Sequence, residues 1–299
     1  MANGSYLLWL AWPEKCFRAN AVDVRFLESL VGRRGRVKSV RTRAAFLREL
    51  PGATHAICWE FDKAWFALAP KLRVLATPAA GRELLPADAD MPPGVRKIHG
   101  SFHGAIMAET VAACILAYAR GLCAMRETKE LWPRVALSDT VVRVAGSKAV
   151  VLGYGHVGRA IGDKLAALGV SVTGIRRRNV AKLKPALADA DWLVVSLPSD
   201  TGTDDIVDAA VLRAMKRTAV LVNVGRGNAV DENALASALK RRRIAAAFLD
   251  VFKREPLDEK SPLAANLPGL FRLPHASAFS PDYLRTFFKE LADSGALEG

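Results

Sequence analysis

The stretch Ala149-Val150-Val151-Leu152-Gly153-Tyr154-Gly155-His156-Val157-Gly158 decides the fold. Four apolar residues read as a buried strand, glycines follow in a G-x-G-x-x-G pattern, and Arg159 to Leu168 carries a helical apolar pattern. In that order these pieces form a dinucleotide-binding signature. The glycines permit a tight turn, a close backbone approach to a pyrophosphate, and packing of helix on strand. The helix N-terminus then presents backbone N–H groups and the positive end of its dipole to that anion.

The same alternation runs outward in both directions. Downstream, strand-like runs recur at Val170-Ser171-Val172, Trp192 to Val195, Ala219 to Val222, Ala247 to Leu249 and Phe271 to Leu273. Upstream, Leu7 to Leu10, Val37 to Val40, His55 to Cys58 and Leu72 to Ala76 read as strands. Between the upstream strands lie helical patterns at Val22 to Leu30, Thr42 to Leu50 with Thr42 as N-cap, and Lys63 to Leu68. Repeated βα units predict an α/β protein whose parallel sheets are covered on both faces. Residues 78–94, with Pro78, Gly81, Pro86, Pro92, Pro93 and Gly94, read as a loop or hinge. One long helix is expected from Ala105 to Met125, and a last one from Pro281 to Leu291.

The chain has 299 residues and 51% hydrophobic content, enough for two domains with real cores. Cys16, Cys58, Cys114 and Cys123 form no C-x-x-C pair and no metal-like cluster, so reduced thiols, a cytoplasmic setting and no metal are expected. The longest apolar stretch, Met107 to Met125, is interrupted by Glu109 and Arg120, which argues against a membrane span. The net charge of +13 comes from arginines and lysines spread along the chain. Short runs such as Arg33-Arg34 and Lys240 to Arg243 lack interleaved aromatics, so solvated surface is expected rather than a nucleic-acid partner.

An NAD site places an acid at the end of the next strand to bond the ribose 2′-hydroxyl. Here Arg176-Arg177-Arg178 stands there, and a guanidinium suits a 2′-phosphate. NADP is therefore expected, with NAD as the alternative. Arg226, Glu255 and His275 each follow a strand-like run, and open α/β sheets bind ligands outside the carboxyl ends of strands. Histidine can give a proton to a carbonyl oxygen at neutral pH, a carboxylate can hold and charge-stabilise its ring, and arginine can grip a substrate carboxylate.

Taken with Leu197-Pro198 and Thr203, with Asn223-Val224-Gly225-Arg226-Gly227, with Leu249 to Leu257 around Asp250, and with Pro274-His275, the chain resembles the D-isomer-specific 2-hydroxyacid dehydrogenase family. Its arginine after the second strand is similar to that of the glyoxylate/hydroxypyruvate reductase branch. The resemblance covers about residue 80 to the C-terminus. It implies two Rossmann/flavodoxin-like domains with the active site in the cleft between them: a discontinuous substrate domain, 1–97 and 279–299, and a dinucleotide-binding domain, 98–278.

The resemblance further implies catalytic roles for Arg226, Glu255 and His275. The cofactor would be bound by Gly153 to Gly158 (including Tyr154, His156 and Val157), Arg176, Arg177, Leu197, Pro198, Thr203, Val224, Gly225 and Asp250. The substrate carboxylate would be held by Ala80 and Gly81 with Arg226. A homodimer through the helix after Gly104 is implied as well. Departures from the family pattern are Arg176 in place of the ribose-binding aspartate, Glu83 in place of an aspartate, and Ala276-Ser277-Ala278-Phe279 after His275. The expected reaction is reduction of a small 2-keto acid to a D-2-hydroxy acid. A 3-phosphoglycerate dehydrogenase-like enzyme and a cofactor-sensing corepressor are the competing readings. Of the other histidines, His55 reads as structural, His99 as facing solvent, His156 as a packing or surface residue, and His103 as a hinge residue before the long helix, with a substrate contact as its lesser reading.

Overall fold

The runs His55–Cys58, Val74–Thr77, Trp192–Val195, Val220–Asn223 and Ala246–Leu249 are buried at every position. Continuous burial is the mark of central parallel strands covered on both faces. The computed structural model describes residues 4–298. The chain divides into two units, Met1–His103 with Phe279–Gly299, and Gly104–Ala278. The first boundary expected after residue 97 falls inside a strand, Arg96–His99, that pairs with Val74–Thr77. That strand is partly exposed and half basic, so no apolar run marks it.

In the first unit, β1 (Gly4–Trp9), β2 (Gly35–Ser39), β3 (His55–Cys58), β4 (Val74–Thr77) and β5 (Arg96–His99) form a parallel sheet in the order β2-β1-β3-β4-β5. Helix α1 (Ala21–Val31) starts at Asn20, whose side chain accepts from the N–H of Val22 and Asp23 while Asp23 answers with its own carboxylate, a capping box. Helix α2 (Arg43–Glu49) starts at Thr42, whose hydroxyl accepts from Ala45 N–H at 3.2 Å. The C-terminal helix (Tyr283–Asp293) buries Tyr283, Leu284, Phe287, Phe288 and Leu291 and packs against α1. Full burial of each such side chain contributes on the order of 1.5–3 kcal/mol. Tyr6 Oη donates to Leu297 O at 2.7 Å, tying the returning C-terminus to β1.

The second unit opens with α3 (His103–Ala119), all but its first residue, then α4 (Leu122–Glu127) and α5 (Arg134–Ser138). The single helix expected to Met125 is broken at Gly121, whose φ of +71° is left-handed and leaves the helical path. Then come β6 (Lys148–Leu152), α6 (His156–Ala167), β7 (Ser171–Ile175), α7 (Leu183–Leu187), β8 (Trp192–Val195), α8 (Ala209–Ala214), β9 (Val220–Asn223), α9 (Glu232–Lys240), β10 (Ala246–Leu249) and β11 (Leu270–Arg272). The parallel order is β11-β10-β9-β8-β6-β7. Alternation splits each strand between two cores. Val150, Leu152, Leu193, Val195 and Leu221 pack on one face, and Ala149, Val151, Trp192, Val194 and Val220 on the other. No helix among the described residues is long and apolar enough to cross a membrane.

Candidate active site

The glycine loop joins β6 to α6. Gly153 has φ +96°, and a Cβ there would lie 2.8 Å from the Ser196 backbone. A Cβ at Gly158 would lie 2.3 Å from Gly153 O, so only glycine lets the helix seat on the turn. Gly155 differs: a Cβ there would meet nothing nearer than Gly153 O at 4.0 Å, which leaves the space above the loop clear. Gly155 is the N-cap of α6 and brings no side chain to its first N–H groups. An open, uncapped helix start fits a pyrophosphate. His156 is the first residue of α6 and is exposed.

At the end of β7 the arginines separate. Arg176 is half-buried, and its Nε donates to Tyr154 O at 2.7 Å, so its guanidinium folds against the glycine loop. Arg177 is exposed and pairs with Asp200 at 2.6 Å. Leu197 and Pro198 follow β8, and the Leu197 backbone would lie 2.6 Å from a Cβ at Gly225, so the turns after β8 and β9 are packed together. Thr203 is buried, with Oγ1 3.0 Å from Pro198 O and 2.6 Å from Asp200 O. Its hydroxyl shapes this loop.

Arg226, Glu255 and His275 lie beyond the carboxyl ends of β9, β10 and β11. His275 Nδ1 lies 2.7 Å from Glu255 Oε2, and Glu255 Oε1 accepts from Phe252 N–H at 2.9 Å. The hydrogen bond to Glu255 raises the His275 pKa above its ordinary value. Partial burial opposes this, the charges of Glu255 and Asp250 add to it, and Arg226 subtracts. Partial burial acts to raise the Glu255 carboxyl, yet the bonds from His275 and Phe252 and the charges of His275 and Arg226 hold it below its usual value. Arg226 therefore acts electrostatically on both partners.

Asp250 and Asn223 hold this group in place. His275 adopts φ +53°, a left-handed conformation that costs a non-glycine residue about 1–2 kcal/mol. Its N–H donates to Asp250 O at 2.8 Å, and the buried Asp250 carboxylate accepts from Ala276 N–H at 2.7 Å and Ser277 N–H at 3.0 Å. Asn223, fully buried, accepts from Gly225 N–H and donates to Arg226 O, fixing the turn that carries Arg226. Thr110 of α3 donates to Ser277 O at 3.0 Å. Thr110 has no motif around it and is visible only in three dimensions. Asn223 had a signal, an amide ending an otherwise apolar strand.

Ala80 and Gly81 belong to the first unit, in the loop after β4. His103 is buried, with Nε2 2.8 Å from Tyr283 Oη and its ring stacked on Phe102. His55 is buried against Tyr6, with ring centroids 4.2 Å apart. The expectation that His99 faces solvent is corrected: it ends β5, and both its ring nitrogens are buried. Burial lowers its pKa, with Lys97 and Arg82 adding to the effect. Among the described residues no cluster of His, Cys, Asp or Glu could hold a metal.

Comparison with known proteins gives a consistent result. The sequence profile described as "D-isomer specific 2-hydroxyacid dehydrogenase, NAD binding domain" matches residues 112–277. A glyoxylate/hydroxypyruvate reductase B of Pectobacterium carotovorum is 34% identical over 231 residues, 72% of each chain. A D-isomer specific 2-hydroxyacid dehydrogenase family protein of Aeromonas salmonicida superposes with a TM-score of 0.76 at 26% identity, covering 97% of this chain and 94% of its own. A Xanthobacter autotrophicus D-isomer specific 2-hydroxyacid dehydrogenase in complex with NADPH and MES gives 0.73 at 25% identity, covering 98% and 96%.

Proposed function

Because the chain belongs to the D-isomer-specific 2-hydroxyacid dehydrogenase family, we propose that it reduces a small 2-keto acid, of the glyoxylate or hydroxypyruvate kind, to the D-2-hydroxy acid. The observation that carries this reading is the His275–Glu255 pair at 2.7 Å beside Arg226, in the same unit as the glycine loop.

When bound, the nicotinamide cofactor supplies the hydride. Gly153 to Gly158 would hold its pyrophosphate on the open start of α6. His275 gives its Nδ1–H to Glu255, which leaves Nε2 to carry the proton that the carbonyl oxygen receives. The raised pKa extends to higher pH the range in which the ring keeps that proton, which favours reduction. Arg226 grips the substrate carboxylate and polarises the carbonyl through its planar fork. Asp250 and Asn223 are positioning residues that fix the backbone on which His275 and Arg226 stand.

We favour NADP, because Arg176 stands where an NAD site carries an acid and its half-buried guanidinium is already folded toward the glycine loop. A homodimer is supported by Leu131, Trp132 and Val135, which are 100%, 82% and 81% exposed on one segment, an apolar display suited to a second copy. Four free cysteines favour a reducing, cytoplasmic setting. The test is initial-rate reduction of glyoxylate and hydroxypyruvate with NADPH and NADH side by side. Faster turnover with NADPH is expected. Preference for NADH would remove the phosphate role from Arg176 and leave the catalytic group standing.

A further inference from the structure

The arginines at the end of β7 meet a carboxylate that comes from another strand. In the order β11-β10-β9-β8-β6-β7, the strand that leads into the glycine loop, β6, lies between β8 and β7. Arg176 and Arg177 follow β7 directly, and Asp200 lies in the loop after β8. The pair Arg177 Nη2 to Asp200 Oδ2, at 2.6 Å, therefore joins the loops on either side of the glycine loop, all within the second unit. In a dinucleotide site the adenosine ribose lies at the end of the strand that follows the glycine loop.

The carboxylate is fixed and charged. Asp200 caps the short turn Thr201–Thr203: its Oδ1 accepts from Gly202 N–H at 2.8 Å, and its own N–H donates to Thr203 Oγ1 at 3.2 Å. Thr203 is buried, which anchors the turn. The Gly202 N–H first, and then Arg177, hold the Asp200 carboxyl below its usual value. The arginine is held less firmly, with 79% of its side chain exposed against 41% for Asp200. An exposed ion pair of this kind is weak and screened by salt, so its balance is easily shifted.

Arg176 is placed differently. Its Nε is given to Tyr154 O at 2.7 Å, and among the described residues no carboxylate pairs with it. One arginine at the ribose edge is thus open to a phosphate, and its neighbour is neutralised by a fixed acid. Asp200 repels a dianionic 2′-phosphate. It does not repel a ribose hydroxyl, from which a carboxylate can accept a hydrogen bond. The acid missing from the end of β7 is in this way supplied from the loop after β8.

We propose that Asp200 is a selectivity residue for the cofactor: its carboxylate withholds Arg177 from the 2′-phosphate and holds the preference for NADP over NAD below what Arg176, Arg177 and Arg178 would otherwise give. The proposal rests on the reading that a 2′-phosphate binds at the end of β7.

Dissociation constants of the full chain for NADPH and NADH, from fluorescence titration at low salt, test it. The readout is their ratio, because a loss of loop order acts on both cofactors alike. Asp200→Asn keeps the shape and an oxygen that accepts from Gly202 N–H, and it removes the charge. Removing one charge a few ångströms from a dianion at a solvated surface changes affinity by about tenfold, so NADPH should gain on NADH by about that factor. At about 1 M salt, where the screening length is about 3 Å, most of the gain should vanish. Arg177→Gln leaves the carboxylate unopposed and should move the ratio toward NADH, and the double variant should bring it back near the wild-type value. A ratio unmoved by Asp200→Asn, or moved toward NADH, overturns the proposal: Asp200 would then be a turn cap alone, or a residue that orients Arg177 for the phosphate. Arg176→Ala separates this inference from the reading beneath it. If that variant weakens NADPH binding while Asp200→Asn leaves the ratio unmoved, only the role of Asp200 fails. If it leaves NADPH binding intact, the phosphate reading fails and the role of Asp200 with it.

Discussion

Replacing Glu255 by glutamine isolates the contribution of the carboxylate at His275. The substitution keeps the side-chain shape and an oxygen able to accept from Phe252 N–H, as Oε1 does at 2.9 Å. What it removes is the negative charge 2.7 Å from His275 Nδ1. An amide nitrogen facing Nδ1 donates instead of accepting, so it favours the neutral ring. A hydrogen bond to a charged group contributes about 1.5–3 kcal/mol. The His275 side chain is 53% exposed, which places this pair at the lower end, about 1.5 kcal/mol. That corresponds to a loss of about tenfold in kcat/KM for reduction at neutral pH.

The pH profile carries the sharper signature. In the native protein the His275 pKa is raised, so the protonated ring that the proposed role needs persists to higher pH, and the rate should fall as pH rises through that raised value. Oxidation of the hydroxy acid needs the unprotonated ring and rises over the same range. In Glu255→Gln the falling limb of reduction should move to lower pH. Initial rates across pH with saturating cofactor read both effects. Unchanged kcat/KM together with an unmoved limb would refute the assigned role of Glu255.

Further outcomes follow from the same geometry. Arg226→Lys keeps the charge but loses the fork, so kcat/KM for reduction should fall by about 10-fold to 100-fold, with cofactor affinity unchanged by fluorescence titration. Gly158→Ala places a Cβ 2.3 Å from a backbone oxygen. It should cost about 1–3 kcal/mol, seen as a lowered melting temperature, and should weaken cofactor binding. Arg176→Ala should reduce kcat/KM for NADPH by about tenfold or more while leaving NADH nearly unchanged, as initial rates with the two cofactors would show.

Much of this was legible in the chain because the signals were strong and local. Four-residue apolar runs such as Trp192–Val195 can hardly be anything but covered parallel strands. The glycines at 153 and 158 mark a turn into which no Cβ fits, and the one at 155 leaves the space above it clear. Arg226, Glu255 and His275 could be placed because each follows a strand end, and in a parallel sheet strand ends converge on one side. Other features carried no such pattern. β5 is basic and partly exposed, so its apolar content is too low to read as a strand. The break at Gly121 interrupts a stretch whose composition is uniformly helical. His99 reads as a polar loop residue, yet its ring nitrogens are buried at the end of an edge strand. The pairing of Arg177 with Asp200 joins residues from different strand ends and depends on the sheet being formed.

The most direct measurement compares the wild-type protein with His275→Ala in reduction of hydroxypyruvate at saturating cofactor, with cofactor binding measured on the same preparations. The account predicts turnover by the wild type and a loss of about 100-fold or more in the variant, with cofactor binding equal in both. Equal turnover by the two proteins would contradict it.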